Sequence, residues 1–204
     1  MPLIRKSSDT TAPHPAGSAN ALRDGTTDAR WAAARALTAP ADVDALSAAL
    51  NTEQDPRVRE AILTSLARIG DAPSAQAVIP LIRSEDASVR TAALDSLRAM
   101  PQAVGESLSG LLADPDPDVR LLACELVRAL PSASATQLLC DLIQDDAEAN
   151  VCAAAIDVLA EVGGPDALPA LDRCAARFPD EPFLVFAIRV AGDRISAHPR
   201  NRLG

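Results

Sequence analysis

The chain has 204 residues, a formal net charge of −9 and a pI near 4.7, a balance that argues against duplex nucleic acid and against an anionic lipid surface as partners. Apolar residues make up 48% of it and aromatics only 2%, so the hydrophobic content is mostly Ala and Leu, which suits closely packed helices better than a β-sandwich core. No stretch reaches the roughly 18 consecutive apolar residues of a membrane span.

Residues 1–26 lack periodicity and are rich in Ser, Thr, Pro, Gly and Asp. They read as a flexible N-terminal tail, with residues 19–23 as a short helical remnant. Arg5 and Lys6 are not followed by an apolar core, so this end does not read as a signal peptide. A helix opens at Ala29-Arg30-Trp31, and residues 41–50 form another with its own apolar stripe. Asp55-Pro56-Arg57-Val58-Arg59 begins the next, with Ile62, Leu63, Leu66 and Ile69 at helical spacing before Gly70. After a helix over 73–83, Asp86 and Val89-Arg90 start one that carries Ala93, Leu94, Leu97 and Met100 as far as Pro101. A helix over 102–113 precedes Asp116-Pro117-Asp118-Val119-Arg120, with Ala123, Cys124, Val127 and Leu130 ahead of Pro131. A helix over 133–144 is followed by Glu148-Ala149-Asn150-Val151-Cys152, which ends at Gly163-Gly164. Residues 165–177 make one more helix, and a degenerate last copy begins near Glu181-Pro182-Phe183, its register open by a residue. Residues 197–204 read as a C-terminal tail.

Val58, Val89, Val119 and Val151 follow one another at steps of 31, 30 and 32 residues, so the elements fall into repeated pairs. The second helix of each pair starts on an acidic N-cap, and Pro56 and Pro117 occupy the tolerated first turn. One pair cannot bury its stripe alone; neighbours must stack into an all-α, α-α superhelix of about five to six pairs over residues 27–196. The Asp-x-x-Val-Arg-x-x-Ala-x-x-x-Leu pattern resembles the short HEAT-like repeats of the phycobilin lyase type. That resemblance implies an armadillo-like solenoid whose second helices line a concave, protein-binding surface. Two enzyme branches of such folds do not fit these residues. Deoxyhypusine hydroxylase needs paired His-Glu steps for iron, and the only histidines are His14 and His198. HEAT-like DNA glycosylases are basic and place aromatics over DNA, whereas this chain is acidic with one Trp, three Phe and no Tyr.

Arg30, Arg59, Arg90 and Arg120 form a ladder, one per repeat. An anion-binding row is one reading; in the family this Arg pairs with an Asp near the adjoining repeat, and Asp55, Asp86 and Asp116 are on hand to make it structural. Cys124 and Cys140 fall on core stripes. Cys152 replaces the ladder Arg and is expected to be partly exposed. Three acids, Asp95, Glu125 and Asp157, share a position six residues after the repeat Val and read as one solvated row.

The outward positions of the second helices give the expected docking face: Trp31, Arg35, Thr91, Asp95, Arg98, Leu121, Glu125, Arg128 and Asp157. Leu121 is expected at its centre, because Glu60 and Thr91 hold the equivalent places, and Trp31 sits either in the groove or over an array end with no first helix. No nucleophile, metal or phosphate motif is present, so no catalysis, metal or cofactor is expected. The four cysteines lie at non-metal spacings and suit a reducing cytoplasm. The reading is a non-catalytic scaffold or adaptor for another protein in a bacterial cytoplasmic complex, such as a signalling assembly. The alternative carried by the resemblance is a bilin lyase or lyase-like subunit.

Overall fold

A computed structural model describes residues 15–197, with side chains from Ser18 onward. Among the described residues there are twelve α-helices and no strand. They form six successive pairs: α1 (Pro15–Asp24) with α2 (Thr27–Ala36), α3 (Val43–Leu50) with α4 (Pro56–Ile69), α5 (Ala72–Val78) with α6 (Ala87–Arg98), α7 (Pro101–Leu112) with α8 (Pro117–Val127), α9 (Ser132–Asp145) with α10 (Ala149–Val162), and α11 (Leu168–Arg177) with α12 (Pro182–Ala197). Residues up to Ile69 form one compact unit and residues from Gly70 a second.

Local chemistry sets the boundaries. The carboxylates of Asp55, Asp86 and Asp116 accept backbone N–H groups of Arg57, Ser88 and Asp118 at 2.8–2.9 Å and so start α4, α6 and α8. Pro80 lacks an N–H, and the first helix expected over 73–83 tightens there into a 3-10 turn, Ile79–Arg83. Gly70 ends α4 with φ 69°, a left-handed conformation that glycine adopts without strain. Gly163, at φ −67°, stops α10 in extended backbone, and the Ser132 hydroxyl donates to the Val162 carbonyl at 2.5 Å there.

In the first unit α2 packs on α4 and α1 on α3. Its core includes Leu22, Ala34, Leu37, Leu46, Val58, Ile62 and Leu66, each at most 2% exposed and none aromatic. The Ser65 hydroxyl donates to the Ala34 carbonyl at 2.8 Å, joining the second helices of the two pairs. In the second unit α6, α8, α10 and α12 follow one another as neighbours, with α5 against α7 and α9 against α11 on the other side. Ala93, Ala123 and Ala155, four residues after their repeat Val, are fully buried; a side chain this small lets adjacent second helices approach closely.

One boundary differs from expectation. Residues 15–24 fall in the segment read as a tail, yet they form α1, which packs on α2 and buries Leu22 at 2% exposure. The segment has no internal apolar stripe to betray it; burial of Leu22 and Ser18 against its neighbours supplies the stability that local pattern does not. Trp31 therefore lies on the second helix of a complete pair and does not close an end without a first helix. Residues 1–14, including Arg5, Lys6 and His14, and residues 198–204, including His198, lie outside the described residues.

Candidate functional site

Each second helix enters through the same backbone hydrogen bond, from the ladder residue to the cap carbonyl four before it. Arg59, Arg90, Arg120, Cys152 and Val185 donate to Asp55, Asp86, Asp116, Glu148 and Glu181 at 3.0–3.2 Å. This settles the last copy: Leu184, 1% exposed, is the repeat-Val equivalent, and Val185 stands in the ladder place. Two places after each repeat Val, the outward line in the second unit is Thr91, Leu121, Ala153 and Phe186.

The ladder arginines turn toward backbone. Arg59 donates to the Glu53 carbonyl at 2.8 Å, Arg90 to Ser84 at 2.5 Å, and Arg120 to Asp114 at 2.8 Å, in each case six residues back. These bonds fix the loop between the helices of a pair. The carboxylates that join two of the arginines are not the expected Asp55 and Asp116, which are occupied as caps. Arg30 meets Glu53 at 2.8 and 3.1 Å, and Arg120 meets Asp146 at 2.7 and 3.0 Å. Both acids sit two residues ahead of the next cap, a position set by the loop, and both side chains are at most 6% exposed. Arg30 holds Glu53 below the usual carboxylate range, against a smaller effect of burial. Burial alone would raise Asp146; the Arg120 hydrogen bonds and the Glu148 N–H outweigh it and leave that carboxyl depressed.

Cys152 is fully buried and not partly exposed as expected. Its thiol takes the ladder direction and donates to the Asp146 carbonyl at 3.6 Å. Arg177 of α11 supplies the missing guanidinium, reaching the carbonyls of Asp146, Ile143 and Gln144 at 2.6–2.7 Å. A hydrogen bond to Cys174, with burial, raises the Cys152 thiol, and burial pushes Cys124 up to about 12 and Cys140 up to about 11. These environments keep the three thiols protonated and poorly nucleophilic. Among the described residues no cluster of three or more His, Cys, Asp or Glu is placed to hold a metal, and no helix is long and apolar enough to cross a membrane.

Five residues of the expected face come together in one chain of ion pairs across α6, α8 and α10. Asp95 meets Arg98 at 3.0 Å, Arg98 meets Glu125 at 3.2 Å, and Arg128 meets Glu125 at 3.3 Å and Asp157 at 3.2 Å; Glu161 also pairs with Arg128. Two arginines thus bridge four carboxylates, the row keeps a net negative charge, and Asp95 and Asp157 stay 65% exposed. Thr91 is exposed beside it, its hydroxyl donating to Ala87. In the first unit Trp31 is half-buried, with the Arg35 guanidinium 4.7 Å and that of Arg57 5.9 Å from its ring centre.

Leu121 does not stand out in solvent at the centre of this face. It is half-buried, because α8 has a neighbouring second helix on each side, α6 and α10. Among the described residues the exposed large apolar side chains are Phe183 at 72%, Phe186 at 54% and Val185 at 38%, all on α12. The sequence signal for them was the aromatic count itself, since two of only three Phe fall in one helical turn.

The family profile described as HEAT repeats matches residues 17–98 and 106–183. No curated protein matches the sequence significantly. Among solved structures the chain is similar to an engineered protein at 18% identity, over 89% of this chain and 96% of that one, with a TM-score of 0.45. It is similar at 19% identity to the complex of CpcE and CpcF of phycocyanin lyase from Nostoc sp., over 100% and 95% of the two chains, with a TM-score of 0.44. Computationally designed armadillo repeat proteins for modular peptide recognition share 17% identity over 88% and 98%, with a TM-score of 0.42.

Proposed function

We propose that this chain, which belongs to the HEAT repeat family, is a non-catalytic adaptor that binds another protein through the outward face of its second helices. One observation carries the reading: none of its four aromatic residues is in a core. Phe183 and Phe186 are exposed, and Trp31 and Phe178 are half-buried. A chain this poor in aromatics would be expected to spend them on core volume. Here the cores are Leu, Ile, Val and Ala, and three of the four rings instead carry an arginine: Arg35 over Trp31, Arg177 over Phe178 and Arg189 over Phe186. Aromatic and Arg side chains are the residues most enriched at interface centres.

Within the second unit, Phe186 and Phe183 are the apolar anchor. Thr91, Asp95, Arg98, Leu121, Glu125, Arg128 and Asp157 provide a mixed-charge surface held in one geometry by its own ion pairs. In the first unit Trp31 and Arg35 take the corresponding role. Four free cysteines fit a reducing compartment, so the complex belongs in the cytoplasm, of a bacterium on the Ala- and Arg-rich composition, with a signalling assembly as one setting. The ladder residues Arg59, Arg90 and Arg120, with the caps Asp55, Asp86 and Asp116, hold the array and do not contact the partner.

Affinity capture from the source cell with wild type and with the Phe183→Ser/Phe186→Ser double variant tests this. Both residues are exposed, so the helix content and melting temperature should be unchanged. A stoichiometric partner retained by wild type and lost by the variant is the expected result. Undiminished capture by the variant would overturn the docking face, and a bound chromophore spectrum after mixing with a bilin would favour the lyase alternative.

A further inference from the structure

The outward line of the first unit carries a different charge from that of the second. In the second unit Arg98 and Arg128 are neutralised by Asp95, Glu125, Asp157 and Glu161. Arg68, ten residues after Val58 where Arg98 and Arg128 follow their Val by nine, is the nearest counterpart on α4. It donates to the Arg35 carbonyl at 3.1 Å and the Ser65 hydroxyl at 3.3 Å, and it pairs with no carboxylate among the described residues. Arg35 lies over Trp31 and likewise has no carboxylate partner among them. Arg57 reaches only Asp28, at 3.6 Å, with both side chains more than 60% exposed, a contact of little energetic weight. The three arginines line a cavity of about 390 Å³ with Trp31 and Ser65, and Glu60 is the one carboxylate on its lining. Where the second unit has Asp95, Glu125 and Asp157, the first has Arg35 and Thr64.

We propose that this notch binds an acidic segment of a partner protein, with one carboxylate between Arg35 and Arg57 beside Trp31 and a second on Arg68. The proposal rests on the reading of the chain as a protein-binding adaptor and names the chemistry of one partner. Three guanidinium groups, two without a carboxylate partner among the described residues and the third with only an exposed contact to Asp28, outnumber the one carboxylate on the lining and, in a chain of net charge −9, form a local site of opposite sign to the whole. Guanidinium forks match carboxylates in bidentate geometry. A nucleotide fits less well, because the face its base would stack on is covered by Arg35 at 4.7 Å. A dianionic phosphate would meet the Glu60 carboxylate with more repulsion than a single carboxylate does.

Trp31 is the only tryptophan, so intrinsic fluorescence reports this site in the full chain. The probe is the synthetic peptide Ac-Asp-Glu-Leu-Glu-Asp-NH2, with its Asn/Gln counterpart, inorganic phosphate and ATP as comparisons. The acidic peptide should shift Trp31 emission saturably, and the effect should weaken as salt is raised. Arg68→Gln and, separately, Arg57→Gln should each weaken binding about tenfold, the loss of one charge-assisted hydrogen bond. Arg57 is exposed, so its variant folds even if Arg68→Gln does not. The proposal is overturned if the Asn/Gln peptide binds as well, if ATP or phosphate binds more tightly than the peptide, or if the acidic peptide gives no saturable change. The partner captured through Phe183 and Phe186 is read without Trp31; its retention alongside a silent notch would defeat this inference and leave the adaptor reading standing.

Discussion

Replacing Arg120 with Met separates the two tasks of the ladder. The guanidinium makes two bonds to the Asp146 carboxylate, at 2.7 and 3.0 Å, and two more to the Asp114 and Pro115 carbonyls at 2.8 and 3.3 Å. The side chains of the pair are 13% and 3% exposed. Methionine fills much of the volume and leaves Asp146 buried with the Glu148 N–H, at 2.9 Å, still donating to it. Breaking a buried pair from one side costs about 3–5 kcal/mol; the retained N–H and the partial exposure of Arg120 place this case near about 3 kcal/mol. Arg90→Met loses only the bonds to the Ser84 and Glu85 carbonyls and should cost about 1–2 kcal/mol. Urea unfolding followed by circular dichroism reads both, and at a slope of about 1–3 kcal/mol/M the Arg120 variant should lose at least about 1 M in midpoint. Adding Asp146→Asn to Arg120→Met removes the stranded charge and should recover part of the loss. If Arg120→Met is no worse than Arg90→Met, or if Asp146→Asn recovers nothing, the ion pair does not join the repeats as argued.

Leu97, fully buried on α6, should cost about 2–5 kcal/mol on change to Ala, measured by the same unfolding curves. Acid should weaken the fold through Glu53 and Asp146, whose carboxyls are depressed below their ordinary values of 4.5 and 3.8. The unfolded chain takes up these protons first, so the stabilisation is complete above those values and is lost as pH falls through the lower folded ones; Glu53→Gln should flatten this limb in a pH series of melting temperatures. Thiol titration of the native protein should find Cys140, the one cysteine not fully covered, reacting first and slowly, with the other three released only on unfolding; rapid modification of Cys152 in the folded state would contradict its burial.

Most of the fold was legible because the repeat writes it several times. A cap acid, a buried Val and an Arg recur at a near-constant step, and each copy corrects the reading of the others. Helix α1 was read only as a remnant over residues 19–23 within a tail, since its stability comes from packing Leu22 rather than from any stripe of its own. The arginine partners were misjudged for a related reason. Asp55 and Asp116 recur at the same place in the repeat, but an N-cap carboxylate is already engaged by N–H groups. The acids that are free to reach an Arg lie two places ahead of the next cap, Glu53 before Asp55 and Asp146 before Glu148. The row formed by Asp95, Arg98, Glu125, Arg128 and Asp157 was visible as a line of positions; that Arg98 and Arg128 each bridge acids of two adjacent helices required the side chains. Leu121 misled because sequence position gives the direction of a side chain and not the depth of the neighbours beside it. Phe186 occupies the same line on α12, which has α10 beside it but no later second helix among the described residues, and so stays in solvent.

The central claim is that the second-helix face carrying Phe186 is covered by another protein. A photo-crosslinking benzoyl-phenylalanine at position 186, which keeps an aromatic ring there, tests it directly in the source cell. Gln102, exposed on the first helix α7, is the control position. The account predicts one dominant crosslinked protein from position 186 and none from 102. Equal crosslinking from both positions, or none from 186, would contradict it.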